Sequence, residues 1–340
     1  MKITVRRHIV VLALAASGLL MATTVGACAG PDAKGASGTA GKKSDLKITI
    51  VSAPLADPFF SAMKTGTEQA AKDFGVSVTW TAPKDFSNPA ADLSRLGDAA
   101  LAGKPDGIVM SYFLPDAQKP ALQKAAAAGI PFTFMNSGPD WEALGALNYI
   151  GEDGTIVGTS VGERFVAAGK KNVICFNHVP GVPAVQQRCD ALKKVIVGAG
   201  LKFKQVEVPV ADSQNPTAVG TALGGALRAD PSVDAVFTLG SSSAEVASAT
   251  IDKVGSKAML ATTDLSTNVL NLIKSGKIAF ASDQQPYLTG YYSVQILVQY
   301  LREGVHPIGA IDTAPNWITK DNVDAVINQN TTTKGIRGAA

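Results

Sequence analysis

Lys47-Ile48-Thr49-Ile50-Val51, then Ser52-Ala53-Pro54-Leu55-Ala56-Asp57-Pro58-Phe59-Phe60, then a helix-patterned run to Phe74, decide the fold of this chain. Ile48, Ile50 and Val51 make a short apolar strand that ends in a turn-rich segment. Asp57 stands where an N-cap belongs, and Pro58 takes the first helical position, where a missing N–H costs nothing. Phe59, Met63, Gly66, Ala70 and Phe74 recur at helical spacing and give the helix one apolar stripe. Gly75 stops it, and Val76, Val78 and Trp80 begin a second strand. The unit is β-α-β, which builds parallel sheets and places ligands beyond the carboxyl ends of the strands. Asp57, Phe59 and Phe60 lie at that end.

Toward the N-terminus, residues 1–27 read as a signal peptide. Lys2, Arg6 and Arg7 form its basic region, and Ile9 to Met21 an apolar run shorter than the ~20 residues of a membrane span. Val25-Gly26-Ala27-Cys28 resembles a lipobox, which predicts lipidation of Cys28 and a membrane anchor. Residues 28–44, rich in Gly, Ala, Ser and Lys, then form a flexible tether with a reach of roughly 20–25 Å. The chain carries a formal charge of +3, and removal of the three basic signal residues leaves none. Such a balance gives no footprint for nucleic acid.

Toward the C-terminus, strand and helix patterns alternate. Strands are predicted at 46–51, 76–80, 107–112, 131–135 and 147–150, and again at 172–177, 203–208, 235–239, 258–262 and 278–281. Helices are predicted between them at 59–74, 90–102, 119–128, 155–168, 184–199, 217–229, 243–254, 265–275 and 287–303. The apolar runs are short and do not alternate, as expected of strands covered on both faces. Two series of five strands predict an α/β protein with two doubly wound, Rossmann-like lobes and parallel sheets.

Several catalytic motifs fail on context. No G-x-G-x-x-G follows the first strand, and no Gly-Lys pair has P-loop spacing. Gly158-Thr159-Ser160-Val161-Gly162 matches G-x-S-x-G, but a nucleophile elbow needs a strand immediately before the serine. Ser160 lies inside a predicted helix, which leaves a secreted hydrolase as a remote alternative. His178 and His306 stand far apart and no metal-ligand cluster is visible; no cofactor is expected. Cys175 and Cys189, in an exported and oxidising setting, are expected to pair.

The polar residues at strand ends are similar, in order, to those of sugar-binding periplasmic proteins of the ribose-binding branch. Asp57-Pro58-Phe59-Phe60 resembles that family's [N/D]-P-F-F, whose aromatics sandwich a sugar ring. Lys104-Pro105-Asp106-Gly107-Ile108-Val109 resembles its K-x-D-G-I-V strand, which implies a ligand-facing Ser111. Ala128-Gly129-Ile130-Pro131 resembles its A-G-I-P strand entry. Gln187-Arg188-Cys189-Asp190 resembles a helix start whose Arg reaches the ligand, and Thr263-Asp264 an aspartate at a strand end. Asp283-Gln284-Gln285-Pro286 resembles the crossover whose glutamine touches ligand. The resemblance covers about 45–330 and implies a ligand set of Asp57, Phe59, Phe60, Ser111, Asn136, Arg188, Asp264 and Gln284, with Tyr112, His178, Ser241 and Asp283 as further positions.

The residue types suit a sugar, whose hydroxyls donate and accept and whose C–H face meets aromatics. Two departures stand out. Met135-Asn136-Ser137 replaces the family's Asp-Arg, and Leu239-Gly240-Ser241-Ser242 replaces its Asn-Asp. A sugar alcohol, or a deoxy or modified sugar, is therefore as plausible as a common pentose. The expected organisation is lobe 1 at 45–150 plus 283–312 and lobe 2 at 151–282 plus 313–340. Three hinge strands are expected near Gly151, Ser282 and Thr313. The expected role is that of a monomeric, non-enzymatic, lipid-anchored binding component of an ABC importer. It would deliver a monosaccharide or polyol to a membrane permease. A chemoreceptor or furanosyl-autoinducer binder on the same scaffold is the alternative. Arg188, at the lobe interface, is expected to support closure more than folding.

Overall fold

The computed structural model describes residues 45–333 and 335–337. The expected signal peptide, Cys28 and the tether to residue 44 lie outside them.

The first half of the chain contributes strands β1 (Lys47–Val51), β2 (Ser77–Thr81), β3 (Gly107–Met110), β4 (Phe132–Asn136) and β5 (Tyr149–Glu152). Between them run helices α1 (Pro58–Phe74), α2 (Pro89–Ala102) and α3 (Pro115–Ala127). The second half contributes β6 (Asn172–Asn177), β7 (Lys202–Glu207), β8 (Ala235–Thr238), β9 (Met259–Thr263) and β10 (Phe280–Asp283). Its helices are α4 (Gly154–Ala167), α5 (Pro183–Gly198), α6 (Pro216–Ala229), α7 (Ser241–Lys253) and α8 (Thr267–Lys274). Helix α9 (Pro286–Glu303), strands β11 (Ile311–Ala314) and β12 (Asn316–Thr319), and helix α10 (Val323–Thr332) complete the chain.

These strands form two sheets, ordered β11-β5-β4-β3-β1-β2 and β12-β10-β9-β8-β6-β7. The orders correspond strand for strand, so the chain repeats one lobe plan twice. All pairings are parallel except that of β10 with β12. Strands β3, β4, β6 and β8 are buried along their whole length, which explains their unalternating apolar runs. Edge strands β2 and β7 carry exposed positions instead. Apolar clusters cover both sheets.

The sequence reading misses the sixth strand of each sheet and helix α10. Strands β11 and β12 are four-residue edge strands, Ile-Asp-Thr-Ala and Asn-Trp-Ile-Thr, separated by Pro315 alone. Neither contains an apolar run, and their pairing is set by neighbours distant in sequence. Helix α3 also starts earlier than expected. Pro115 opens it, and the Gln118 Oε1 accepts the Leu114 N–H at 2.9 Å.

The chain passes between sheets three times, after β5, after β10 and after β11. These passages are tied together. Thr313 donates its hydroxyl to the Gly151 carbonyl at 3.0 Å, and Gln285 donates its amide to the Thr313 carbonyl at 2.6 Å.

Glycines set how closely the helices flanking the passages approach. A Cβ on Gly66 of α1 would collide with the Tyr287 carbonyl of α9, and one on Gly290 with the Met63 carbonyl. On the other lobe, a Cβ on Gly158 of α4 would strike the Arg188 carbonyl of α5, and one on Gly162 would meet Val195. The G-x-S-x-G match is therefore a packing seam, with Ser160 partly exposed in mid-helix. Cys175 of β6 and Cys189 of α5 form a disulfide, with Cα atoms 5.7 Å apart.

Gly290→Ala should lower stability by roughly 1–3 kcal/mol through overpacking. Gly225→Ala, with nothing within 4 Å of its Cβ, should raise it by up to about 1 kcal/mol through helix propensity. Urea titration of both variants checks the pair; equal midpoints would mean that the α1–α9 approach is not close.

Candidate functional site

A cavity of about 350 Å³ opens where the carboxyl ends of the two sheets face each other. Lobe 1 supplies its aromatic side. Asp57 caps α1 by accepting the Phe59 N–H at 3.0 Å on Oδ1, and its carboxylate also borders the cavity. Phe59 and Phe60 meet edge to face at 5.1 Å, and Phe60 packs the same way on Phe113 at 5.8 Å. Capping and cavity lining are thus done by one residue.

The polar floor is a single hydrogen-bonded group. Arg188 of α5, 3% exposed, donates Nε to Glu152 at the end of β5 and Nη2 to the Gln284 Oε1 at 3.3 Å. Asn136 reaches that oxygen at 3.5 Å, and Gln284 donates its amide to Asp264. Asn136 ends β4 and Asp264 follows β9, which are corresponding strands. Both have left-handed backbones, φ 63° and 66°, a conformation that Asn and Asp tolerate better than most residues. The floor is thus built twice, once from each sheet, and joined by residues of the passages.

Charge in the floor is unequal. Two carboxylates, Glu152 and Asp264, share the Arg188 guanidinium, and Asp57 is a third acid on the cavity. Burial pushes the Asp264 carboxyl up to about 8, against the pull of Arg188 and with the push of Asp57 and Glu152. Burial likewise holds Glu152 above the ordinary carboxylate range despite Arg188, and raises Asp57. His178, at the exit of β6, is pushed down to about 4 by burial and then by Arg188. Its Nδ1 is buried without a partner.

Of the residues expected from the sequence, Asp57, Phe59, Phe60, Asn136, His178, Arg188, Asp264 and Gln284 border the cavity together. Ser111, Tyr112, Ser241 and Asp283 do not. The Ser111 hydroxyl is shared with Ser52 at 3.0 Å inside lobe 1, and Tyr112 stacks on Phe134 at 4.9 Å. Ser241 is buried in the first turn of α7. Asp283 faces the C-terminal tail, where Arg337 pairs with it, and accepts the Gln285 N–H at 2.9 Å. Arg188 is paired inside the protein as well as bordering the cavity. With Glu152 buried against it, truncating Arg188 should leave an uncompensated buried charge and so lower stability. Phe59 and Phe60 are both core members of lobe 1 as well as cavity walls.

Residues 48–304 match the periplasmic binding protein domain. The chain belongs to that family. Within it, the chain is a type I sugar-binding protein of the ribose-binding branch. The xylose/arabinose-binding protein XylF of Sulfolobus acidocaldarius is 26% identical over 82% of this chain and 72% of its own length. The ribose import binding protein RbsB of Bacillus subtilis is 25% identical over 74% of this chain and 80% of its own. A solved carbohydrate transporter from Acidothermus cellulolyticus, in complex with myo-inositol, is 32% identical with a TM-score of 0.78. That likeness covers 86% of this chain and all of the other. These are binding and transport proteins, and this periplasmic binding protein is likewise no enzyme. Among the described residues no helix is long and apolar enough to cross a membrane.

Glu152 and the apolar residues Phe86, Phe113, Leu114 and Val182 around the cavity were not legible as site residues. One signal for Glu152 existed. It ends the fifth strand of its series as Asp283 ends the fifth of the other, and superposing the two series exposes it.

The raised Asp264 carboxyl gives a pH test. An ordinary aspartate titrates at 3.8 and the folded Asp264 at about 8, so the native state binds its proton more tightly. Its contribution to stability is full below about pH 4 and is lost as pH rises toward about 8. Asp264→Asn should flatten that decline in urea titrations run as a pH series. His178 acts in the opposite sense, with stability lost as pH falls from 6.5 through about 4. An Asp264→Asn profile parallel to wild type between pH 5 and 8 would contradict the assignment.

Proposed function

We propose that the chain is the extracytoplasmic solute-binding component of an ABC importer for a monosaccharide or cyclitol. The supporting observation is the floor of Asn136, Gln284, Arg188 and Asp264, drawn from both sheets and placed beside Phe59 and Phe60. Amides, a guanidinium and carboxylates can meet hydroxyls that both donate and accept, while aromatic rings meet a C–H face. The ligands named for the relatives, pentoses and myo-inositol, fall in this class.

The lobes proposed are 45–150 plus 283–312 and 151–282 plus the tail, with hinges at the three passages. A monomer binds its solute between them, and ligand contacts to both lobes favour the closed form, which a membrane permease then recognises. Cys28 carries a lipid that holds the protein at the outer face of the membrane.

A thermal-shift screen over pentoses, hexoses and cyclitols should identify at least one stabilising ligand. In calorimetry with that ligand, Asp264→Asn should weaken binding by up to about tenfold, the equivalent of a neutral hydrogen bond of roughly 0.5–1.5 kcal/mol. Lys202→Ala, on the exposed edge strand β7, should leave it unchanged. Wild-type affinity in Asp264→Asn would place the site elsewhere.

The anchor is tested separately. Labelled palmitate should appear on the wild type and vanish in Cys28→Ala, with release of protein to the soluble fraction. Equal labelling of both forms would end the lipoprotein assignment.

A further inference from the structure

Three neighbouring strands of the second sheet, β6, β8 and β9, deliver three residues to one spot on the cavity wall. His178 follows β6, Gly240 lies just past β8, and Asp264 follows β9. Because all three stand on one sheet, their arrangement does not depend on how far the lobes are open. Each backbone is also held locally. The Val179 N–H donates to the Asn177 Oδ1 at 3.0 Å across the turn that carries His178. The Gly240 carbonyl accepts the Ser243 hydroxyl at 2.9 Å and the Thr262 hydroxyl at 3.3 Å. The Asp264 N–H donates to the Ser282 carbonyl at 2.9 Å.

The polar groups at this spot are unmatched. Among the described residues neither nitrogen of His178 has a hydrogen-bond partner, and its Nδ1 is sealed in the protein. Asp264 gives Oδ1 to the Gln284 amide and leaves Oδ2 without a partner. Gly240 leaves the space beside them open. Its φ of 173° is extended backbone that any residue adopts, so the glycine supplies room rather than conformation. A Cβ there would stand 3.1 Å from the His178 Cε1, 3.3 Å from its Nε2 and 3.9 Å from the Asp264 Oδ2. One point on the wall is thus within contact distance of both unmet polar atoms. Burial and Arg188 keep the imidazole neutral down to about pH 4, so it has one donor and one acceptor. Buried N–H groups are left orphaned less often than acceptors, which puts the proton on Nε2, the nitrogen beside Gly240.

We infer that His178 and Asp264 hold one hydroxyl of the ligand between them, beside Gly240, and that His178 is a specificity-determining residue. The inference rests on the sugar-binding function proposed above and narrows it to ligands with a hydroxyl at that point. The hydroxyl oxygen accepts the Nε2–H. It donates its proton to Oδ2 when Asp264 is ionised and accepts the Asp264 proton when the acid is neutral, since a hydroxyl does both. A ligand with a methylene at this point would leave both atoms unmatched, and a polar site rejects such a ligand more strongly than an apolar pocket rejects a missing methylene.

The test is calorimetry with D-ribose, D-xylose, D-arabinose, D-glucose and myo-inositol, and with the monodeoxy forms of each. For a parent that binds, one monodeoxy form should lose about tenfold or more. His178→Phe keeps a ring in the wall without the N–H. It should weaken the parent roughly three- to tenfold, as for one neutral hydrogen bond, and leave that deoxy form unchanged. His178→Gln, which returns a donor near the Nε2 position, should restore most of the loss. From Cys28 onward the histidines are His178 and His306, so ¹⁵N-histidine spectra of a His306→Gln variant report His178 alone. Nε2 should carry the proton in the free protein, and a parent that binds should shift its resonance. Equal weakening of the parent and every deoxy form by His178→Phe would overturn the inference while leaving the sugar-binding function standing. So would an Nε2 resonance that a bound parent leaves unmoved. Binding of no parent to the wild type would remove the sugar-binding function itself, and this inference with it.

Discussion

The buried pair of Arg188 and Glu152 is the contact on which the site depends. Glu152 ends a strand of the first sheet, and Arg188 projects from a helix of the second lobe. Their side chains are 2% and 4% exposed, so neither charge keeps water enough to stand alone. The pair therefore fixes the guanidinium at the passage between lobes before any ligand arrives. Its remaining Nη2 is aimed at Gln284, which in turn orients Asp264 and Asn136. One desolvated charge pair thus sets the directions of three polar side chains.

The same pair explains the electrostatics of the cavity. One guanidinium serves two carboxylates, Glu152 and Asp264, and burial raises both of them, and Asp57, above their ordinary range. Asp264 holds its proton to about pH 8 and can then donate as well as accept. A neutral polyhydroxylated ligand suits a floor of this kind, because its hydroxyls supply hydrogen bonds without adding charge. The corresponding acid of the other series, Asp283, is neutralised away from the cavity by Arg337. The repeated plan therefore places an acid at each passage and pairs each with an arginine, but only one pair faces solute.

Much of the fold was legible because its signals are local. Buried strands such as Val-Ile-Cys-Phe are continuous apolar runs, and helices α1, α2, α5, α6 and α9 each open on a proline at the first turn. The edge strands β11 and β12 lack such signals, since only pairing with distant residues makes them strands. The site was legible where a residue's type and its backbone agree. Asn136 and Asp264 are polar, end a strand and adopt the left-handed conformation. Ser111 is also polar and follows a strand, but its N–H still bonds Val51 in the ladder and its hydroxyl meets Ser52 inside the lobe. Direction, not residue type, separates them, and direction depends on contacts far along the chain. Phe86 and Val210 on the cavity wall escaped for a related reason: they lie in connections whose proximity exists only once both lobes are built.

Helix α5 shows how several constraints converge on one side chain. Cys189, next to Arg188, is bonded to Cys175 on a buried strand, and Gly158 of α4 lets the Arg188 carbonyl approach closely. The backbone under the guanidinium is thus held by a covalent link on one side and a glycine seam on the other. Preorganisation of this sort spares the ligand the ordering of its own binding group. It also fixes what a hinge can change. For any rotation about the three passages, displacement grows with distance from them. The floor beside β5 and β10 moves least, and the loops after β2 and β7 move most. In the hinge motion proposed above, the mouth of the cavity would therefore open while the floor stays assembled.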